Sequence, residues 1–81
     1  MKTISIIKAN YQNDYKISLD FNDGKTRTID FATFIQKSHH PDIKKYQNLT
    51  LFKQFNINHG DLEWNDYDLA FPINDLYKNT L

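Results

Sequence analysis

The sequence predicts an α+β fold built mostly of antiparallel sheet, with an N-terminal strand, a hairpin, a C-terminal meander and two or three short helices. In the first and last thirds of the chain, apolar residues alternate with polar ones, which is the period of a strand. In the middle third, apolar residues recur at intervals of three and four, which is the period of a helix. With 81 residues and 40% hydrophobic residues, we expect a single domain over residues 1–81.

The first predicted hairpin turns at Asn22-Asp23-Gly24, because glycine readily adopts the positive φ that a tight turn requires. A two-residue loop would place Leu19 opposite Thr28. A three-residue loop places Ile17 opposite Ile29 instead. The second register keeps the apolar side chains of both strands on one face, so we predict the three-residue loop with Gly24 at positive φ.

Other elements precede and follow this hairpin. Residues 3–9 are predicted to form an earlier strand with Ile4 and Ile6 facing inwards. A short helix between residues 31 and 38 follows from helical spacing of its apolar residues, with Asp30 or Thr33 as N-cap. Pro41 is expected to begin a further helical turn. Another short helix is predicted around three residues with the same spacing, Leu49, Phe52 and Phe55.

The last third of the chain predicts a three-stranded meander with two-residue turns at His59-Gly60 and Asn65-Asp66. These turns would align two rows of side chains across the strands, namely Phe55, Trp64, Tyr67 and Ile57, Leu62, Leu69. We therefore expect Trp64 to be the centre of the core and not a platform for a ligand. Pro72 is expected at the first position of a closing helix whose apolar face is formed by Ile73, Leu76 and Tyr77.

Five segments of the chain occur in an order that resembles a known family. They are Phe21-Asn22-Asp23-Gly24, Ile29-Asp30-Phe31, Leu51-Phe52-Lys53-Gln54-Phe55, Asp61-Leu62-Glu63-Trp64 and the run from Asp68 to Tyr77. The chain resembles the small bacterial proteins catalogued as domain of unknown function 2442. The resemblance implies an α+β fold and no established activity. Some relatives are joined to a helix-turn-helix DNA-binding segment, and others are encoded beside a second small protein in a toxin-antitoxin-like pairing.

This chain departs from the family pattern at one turn. Many members carry proline-asparagine-glycine directly after the tryptophan, whereas this chain has Asn65-Asp66-Tyr67. We therefore expect a variant branch of the family in which this turn differs.

The sequence contains no motif that predicts catalysis, a cofactor or a metal. Cysteine is absent, and the two glycines are isolated, so neither a thiolate site nor a glycine-rich phosphate loop is present. The adjacent His39 and His40 would point in different directions and are a poor chelating pair. No apolar stretch has the length of a signal-peptide core or a membrane span. We expect a cytoplasmic protein that is not an enzyme and has no cofactor, metal or membrane partner.

Charge is balanced over the whole chain but is unevenly distributed. Residues 32–55 carry four lysines and one aspartate, whereas residues 56–81 carry five acids and one lysine. If Trp64 and Tyr67 were cross-strand neighbours, Glu63 and Asp68 would also face each other on the outer side of the sheet. The predicted acidic face, the first candidate for binding a partner, consists of Asp61, Glu63, Asp66 and Asp68. In the alternative interpretation, a lysine on another strand, such as Lys8 or Lys16, neutralises these acids, or water and salt screen their charge.

A second candidate face is basic and consists of Lys37, Lys44, Lys45 and Lys53. A single arginine and a net charge of zero argue against direct binding of nucleic acid. The leading hypothesis is a small protein-binding or adaptor module that acts through an unidentified partner protein. The alternative is a regulatory or antitoxin-like accessory domain that works with a separate DNA-binding or toxin-like protein.

Overall fold

The computed structural model describes residues 3–79. The strands in this range form two antiparallel three-stranded sheets, ordered β1-β2-β3 and β4-β5-β6. In chain order the elements are β1 (Ile6–Tyr11), β2 (Lys16–Phe21), β3 (Thr26–Asp30), α1 (Ala32–Lys37), α2 (Pro41–Lys44), a 3₁₀ turn (Lys45–Gln47), α3 (Leu49–Phe52), β4 (Phe55–Asn58), β5 (Asp61–Trp64), β6 (Leu69–Ala70) and α4 (Ile73–Lys78). The predicted α+β class is therefore confirmed, and none of the helices in residues 3–79 is long and apolar enough to cross a membrane.

The β2–β3 hairpin has the predicted three-residue loop. Ile17 pairs with Ile29, and Gly24 has a φ of +90°. The loop is closed by two backbone hydrogen bonds between Phe21 and the residues after it: Gly24 N–H donates to the Phe21 carbonyl at 3.1 Å, and Phe21 N–H donates to the Lys25 carbonyl at 2.8 Å. Ile17, Phe21 and Ile29 are fully buried. Burial of the apolar face thus decided the register, as the sequence predicted.

The predicted bounds of the first strand, residues 3–9, are wrong, but Ile6 is buried as predicted. β1 runs from Ile6 to Tyr11, and Ile6 is buried while Ile4 is half-buried against the core. A shift in register between Ile6 and Lys8 breaks the alternation and leaves Ile7 65% exposed. The strand extends to Tyr11 because the turn to β2 is tight. The turn therefore begins after Tyr11, although the chain is already polar at Asn10.

The short helices begin near the predicted residues. The predicted N-cap of α1, Asp30 or Thr33, is wrong, because Phe31 occupies this position; the Asp30 carboxylate nevertheless accepts the N–H of Ala32, the first helical residue, at 2.9 Å. Pro41 begins α2 as predicted. Phe55, however, opens strand β4 and is not helical, because the chain leaves α3 after Phe52. Pro72 is the N-cap of α4 and not its first residue.

Of the two turns predicted for the meander, the structure has the first but not the second. The turn at His59-Gly60 pairs Phe55 with Trp64, which is the expected register. The prediction of a two-residue turn at Asn65-Asp66 is wrong, because Trp64 pairs with Leu69 and not with Tyr67. Residues 65–68 form a four-residue loop between β5 and β6, which we call the left-handed loop after the backbone conformation described below.

Trp64 is the centre of the core, as predicted. Its side chain is fully buried, and its ring lies 5.7–5.8 Å, centroid to centroid, from the rings of Phe31, Phe52 and Phe71. The two sheets meet at the turn between β4 and β5, where Ile6 N–H donates to the Gly60 carbonyl at 2.8 Å. The strands and the helical segment, by which we mean residues 32–53, therefore pack around one aromatic cluster, which fixes the position of the groove described next.

Candidate functional site

A groove of about 560 Å³ opens between the helical segment and the β4–β5 hairpin. Binding clefts for small ligands have volumes of roughly 300–1,000 Å³. We call it the central groove, and its lining residues are Lys45, Tyr46, Leu51, Gln54, Phe55, Asn56, Trp64 and Asn65. Its lining offers both apolar and polar contacts, and we take it as the candidate functional site.

The hairpin positions one side of the central groove. Phe55 and Trp64 are cross-strand partners and both belong to the groove lining, in which Phe55 is half-buried and Trp64 is fully buried. Gln54 directly precedes Phe55 in the chain, and Asn65 directly follows Trp64. The pairing of Phe55 with Trp64 therefore brings these two polar residues to the same end of the hairpin. Asn56 is the next residue of β4 and is exposed. The lining on this side of the groove therefore combines aromatic residues with uncharged amide residues.

The helical segment positions the other side of the groove. Proline at the start of α2 fixes the first helical φ, and the His40 imidazole Nδ1 accepts the N–H of Asp42 at 3.3 Å. The 3₁₀ turn that follows directs Lys45 and Tyr46 to the groove. Tyr46 is buried, whereas the side chain of Lys45 is 39% exposed.

Lys45, Tyr46 and Asp68 form a polar cluster at the groove. Lys45 Nζ lies 2.5 Å from Asp68 Oδ2, and the Tyr46 hydroxyl donates to the same oxygen at 3.2 Å. The hydrogen bond from Lys45 lowers the pKa of Asp68, and the same bond raises the pKa of Lys45. Burial, followed by the bond to Asp68, raises the pKa of the Tyr46 phenol. At neutral pH the pair is therefore a charged ion pair and the phenol is protonated.

The left-handed loop lies beside this cluster. Asn65, Asp66 and Tyr67 have φ values of 49°, 55° and 66°, three left-handed residues in succession without glycine. Asparagine and aspartate tolerate this conformation, but it costs other residues roughly 1–2 kcal/mol each. Proline cannot adopt it, because its ring holds φ near −65°. A proline at position 65 is therefore incompatible with the backbone of this loop.

Side-chain contacts hold the left-handed loop in this conformation. The Glu63 carboxylate accepts the Tyr67 N–H at 2.8 Å. The Tyr67 hydroxyl donates to the Asn58 carbonyl at 3.1 Å and lies 3.4 Å from Asp61 Oδ2. Burial, followed by the charge of Asp61, raises the pKa of this phenol. Tyr67 thus contacts Glu63 through its backbone and Asn58 and Asp61 through its hydroxyl.

The predicted acidic face does not form as a row of opposed carboxylates. Glu63 is only 3% exposed and pairs with Ala70, so it does not face Asp68. Asp68 is neutralised by Lys45, and not by a lysine of the first sheet. Asp61 is half-buried near Tyr67, and Asp66 is exposed in the left-handed loop. The four acids are close in sequence, but the structure gives them different environments.

The basic candidate face is also divided. Lys45 lines the central groove, whereas Lys44 is exposed on α2. Lys53 Nζ lies 4.8 Å from the centre of the Tyr11 ring. Lys37 lines a smaller cavity of about 350 Å³ with Thr33, Phe34 and Ser38. Of the four lysines, the structure therefore brings only Lys45 into the groove lining.

Of the eight groove residues, sequence reasoning placed only Lys45 on a candidate face, and the polar residues that it missed include Gln54, Asn56 and Asn65. These three carry no charge, and no pattern marked them as binding residues. The one signal that leads to them is the predicted pairing of Phe55 with Trp64, because the residues flanking a cross-strand pair lie together at the end of the hairpin.

The fold and the groove define a small α+β protein with a partly polar groove, and residues 3–79 hold no cluster of side chains suited to a metal ion. The chain belongs to the family described as "Protein of unknown function (DUF2442)", whose model matches residues 6–80. The resemblance seen in the sequence is therefore confirmed. Comparison with curated proteins and with solved structures found no match.

Proposed function

We propose that this chain is a small cytoplasmic protein-binding or adaptor module that acts through a partner protein, and that the partner contacts the central groove. The observation that carries the proposal is the groove lining, which combines the apolar residues Leu51 and Phe55 with the amide residues Gln54, Asn56 and Asn65. Each amide offers both donors and an acceptor, as a polypeptide backbone does. A groove of this composition is suited to a segment of protein.

The geometry of the rim supports the same function. Asn65 belongs both to the groove lining and to the left-handed loop, which is held by the contact between Glu63 and Tyr67. Residues in sparsely populated backbone conformations concentrate at binding and switch sites, where the surrounding structure maintains them. A rim that is already ordered loses less conformational entropy on binding.

Photo-crosslinking with a matched control tests this function. A photoreactive amino acid at Gln54 lies in the groove lining, whereas the same substitution at the exposed Gln36 of α1 lies outside it. In cells of the native source, we expect one protein to be crosslinked from position 54 and not from position 36, before and after nuclease treatment. Equal crosslinking from both positions, or none from position 54, would contradict the proposal.

The same experiment addresses the alternative, a regulatory or antitoxin-like accessory domain working with a separate DNA-binding or toxin-like protein. The exposed Lys44 and the Lys53 ammonium over Tyr11 lie on the helical segment, where they are available to such a complex. Recovery of the crosslinked protein that depends on intact nucleic acid would favour this alternative.

A further inference from the structure

Asp23 is the one aspartate of the chain that is followed by glycine. The other eight aspartates are followed by tyrosine, phenylalanine, isoleucine or leucine. In an aspartyl-glycyl pair, the glycine nitrogen can attack the side-chain carboxyl carbon of the aspartate, because glycine has no side chain that hinders the approach. Asp23 and Gly24 are both exposed, and a Cβ at Gly24 would meet no atom within 4 Å beyond its chain neighbours. Packing therefore does not block this reaction in the loop.

The reaction converts aspartate to isoaspartate through a five-membered succinimide ring. A bond forms between the Gly24 nitrogen and Asp23 Cγ, and the amide proton leaves with the carboxyl hydroxyl as water. A second water molecule then opens the ring. Its attack on Cγ restores aspartate, whereas its attack on the main-chain carbonyl carbon of Asp23 gives isoaspartate. The protonated carboxyl group is the reactive form, because its hydroxyl is the leaving group.

Three hydrogen bonds oppose this reaction in the folded protein. Gly24 N–H donates to the Phe21 carbonyl at 3.1 Å, so the attacking nitrogen is already engaged. Asp23 Oδ1 accepts the Lys25 N–H at 3.0 Å, and Asp23 Oδ2 accepts the Tyr77 hydroxyl at 2.5 Å. The bond from Tyr77, followed by the bond from Lys25, lowers the pKa of Asp23, which reduces the fraction of the reactive protonated form.

Tyr77 acts on the loop from the other end of the chain. It lies on α4, and its ring packs edge-on against Phe21 at a centroid distance of 5.1 Å. Arg27 Nε also donates to the Tyr77 carbonyl at 3.1 Å. These contacts hold the hydroxyl against the loop while α4 stays on the hairpin. Two of the three opposing bonds are thus local to the loop, and the third depends on the packing of α4.

We propose that Asp23-Gly24 is a modification site of this chain, at which Asp23 isomerises to isoaspartate, and that the Tyr77 hydroxyl restrains the reaction. Isoaspartate lengthens the main chain of the three-residue loop by one methylene group. It also transfers the free carboxylate from Cγ to the main-chain carbonyl carbon, so the modified loop loses the bond to Tyr77. The inference does not depend on the central groove or its partner.

Site-resolved mass spectrometry of the full-length chain, aged in buffer at neutral pH, tests this inference. Trypsin releases residues 17–25 as one peptide, in which electron-transfer fragmentation locates isoaspartate. Deamidation of Asn22 is recognised by its change in mass, which isomerisation of aspartate does not cause. The wild-type chain should react several-fold more slowly when folded than in urea. In urea, Gly24→Ala should slow the reaction several-fold, because its Cβ hinders the attack.

Two tyrosine variants separate the local contact from a general loss of stability, with the fold of each verified by backbone NMR spectra. Tyr77→Phe removes the hydroxyl and keeps the ring, so isomerisation of Asp23 in the folded chain should become several-fold faster. Tyr67→Phe is the matched control, because it removes a hydroxyl that lies 3.4 Å from the carboxylate of a different aspartate, Asp61. The rate at Asp23 should be unchanged in this control.

Four results would overturn the inference. A wild-type chain that reacts as fast folded as in urea would show that the three hydrogen bonds give no protection. Tyr77→Phe with the wild-type rate would remove the role of the hydroxyl, and equal acceleration by Tyr67→Phe would assign the effect to unfolding of the whole chain. Faster isomerisation at any other aspartate would place the modification site elsewhere.

Discussion

Trp64 donates its indole N–H to the carbonyl oxygen of Phe52 at 2.7 Å, and both side chains are fully buried. The bond connects β5 to the end of α3. Because its polar group is satisfied, the indole can lie in the centre of the core without an unpaired donor. Trp64 also belongs to the groove lining, so the core and the candidate site share one residue.

Trp64→Ala should therefore destabilise the whole protein. We expect a loss of roughly 3–5 kcal/mol in the free energy of unfolding, measured by chemical denaturation. Trp64→Phe, the matched control, keeps an aromatic ring but leaves the Phe52 carbonyl without its donor, and its loss should be smaller. A well-folded Trp64→Ala variant that has lost only partner binding would contradict the role of this residue as the centre of the core.

The two glycines should differ in their tolerance of a side chain. Gly24 and Gly60 both have positive φ, but a Cβ at Gly24 would meet open space, whereas one at Gly60 would lie 2.5 Å from Ser5 Cβ. Gly24→Ala should cost about 1 kcal/mol of stability, and the β-branched Gly24→Val at least as much. Gly60→Ala should cost more than Gly24→Ala, as measured by urea denaturation.

A double-mutant cycle identifies the cause of that difference. Adding Ser5→Gly to Gly60→Ala removes the clashing Cβ and should recover stability that Ser5→Gly alone does not provide. Additive effects of the two substitutions would show that the close approach of Ser5 to Gly60 has no energetic consequence.

Glu63 should be required for the fold of the left-handed loop. Had Glu63 and Asp68 formed an exposed like-charged pair, neutralising them would have left the fold intact or more stable. Because Glu63 is buried and accepts the Tyr67 N–H, Glu63→Ala should cost about 1–3 kcal/mol instead. Glu63→Gln retains an acceptor and should cost less, and Asp66→Asn in the exposed part of the loop should have little effect. Chemical denaturation measures all three, and a more stable Glu63→Ala variant would contradict this assignment.

The contact between Asp23 and Tyr77 should make stability depend on acid pH. The Tyr77 hydroxyl donates to Asp23 Oδ2 at 2.5 Å, and this bond, followed by the Lys25 N–H, holds the pKa of Asp23 below its ordinary value of 3.8. The folded state therefore binds fewer protons than the unfolded state near this pH. The stabilisation is present above the ordinary pKa and is lost as the pH falls through the folded-state pKa.

Tyr77→Phe tests this linkage. We expect the pKa of Asp23, followed by NMR, to rise toward its ordinary value, and the loss of stability in acid to become shallower. Phenylalanine retains the edge contact of the ring with Phe21, at a centroid distance of 5.1 Å. The substitution therefore removes the hydroxyl without removing this aromatic packing. An unchanged titration of Asp23 would show that the hydroxyl does not stabilise the carboxylate.

Local pattern was sufficient for both hairpin registers that the sequence predicted correctly. Ile17 opposite Ile29 and Phe55 opposite Trp64 each follow from alternating burial on the two sides of a glycine-containing turn. The same reasoning failed after Trp64, where it assumed that Tyr67 continues the buried row. Tyr67 instead lies 44% exposed in the left-handed loop, because its backbone and hydroxyl find partners on the outer side of the hairpin.

The sequence by itself determined the α+β class, the family, the buried faces of the first hairpin and the central position of Trp64. These follow from residue spacing and turn chemistry, which act over a few neighbouring residues. Only the tertiary structure decided that Lys45 and Asp68 form an ion pair, that Glu63 is buried and that amide side chains line the groove. Those contacts join the helical segment to the meander. They depend on how two parts of the chain that are distant in sequence pack around the aromatic core. The spacing of neighbouring residues cannot predict such packing.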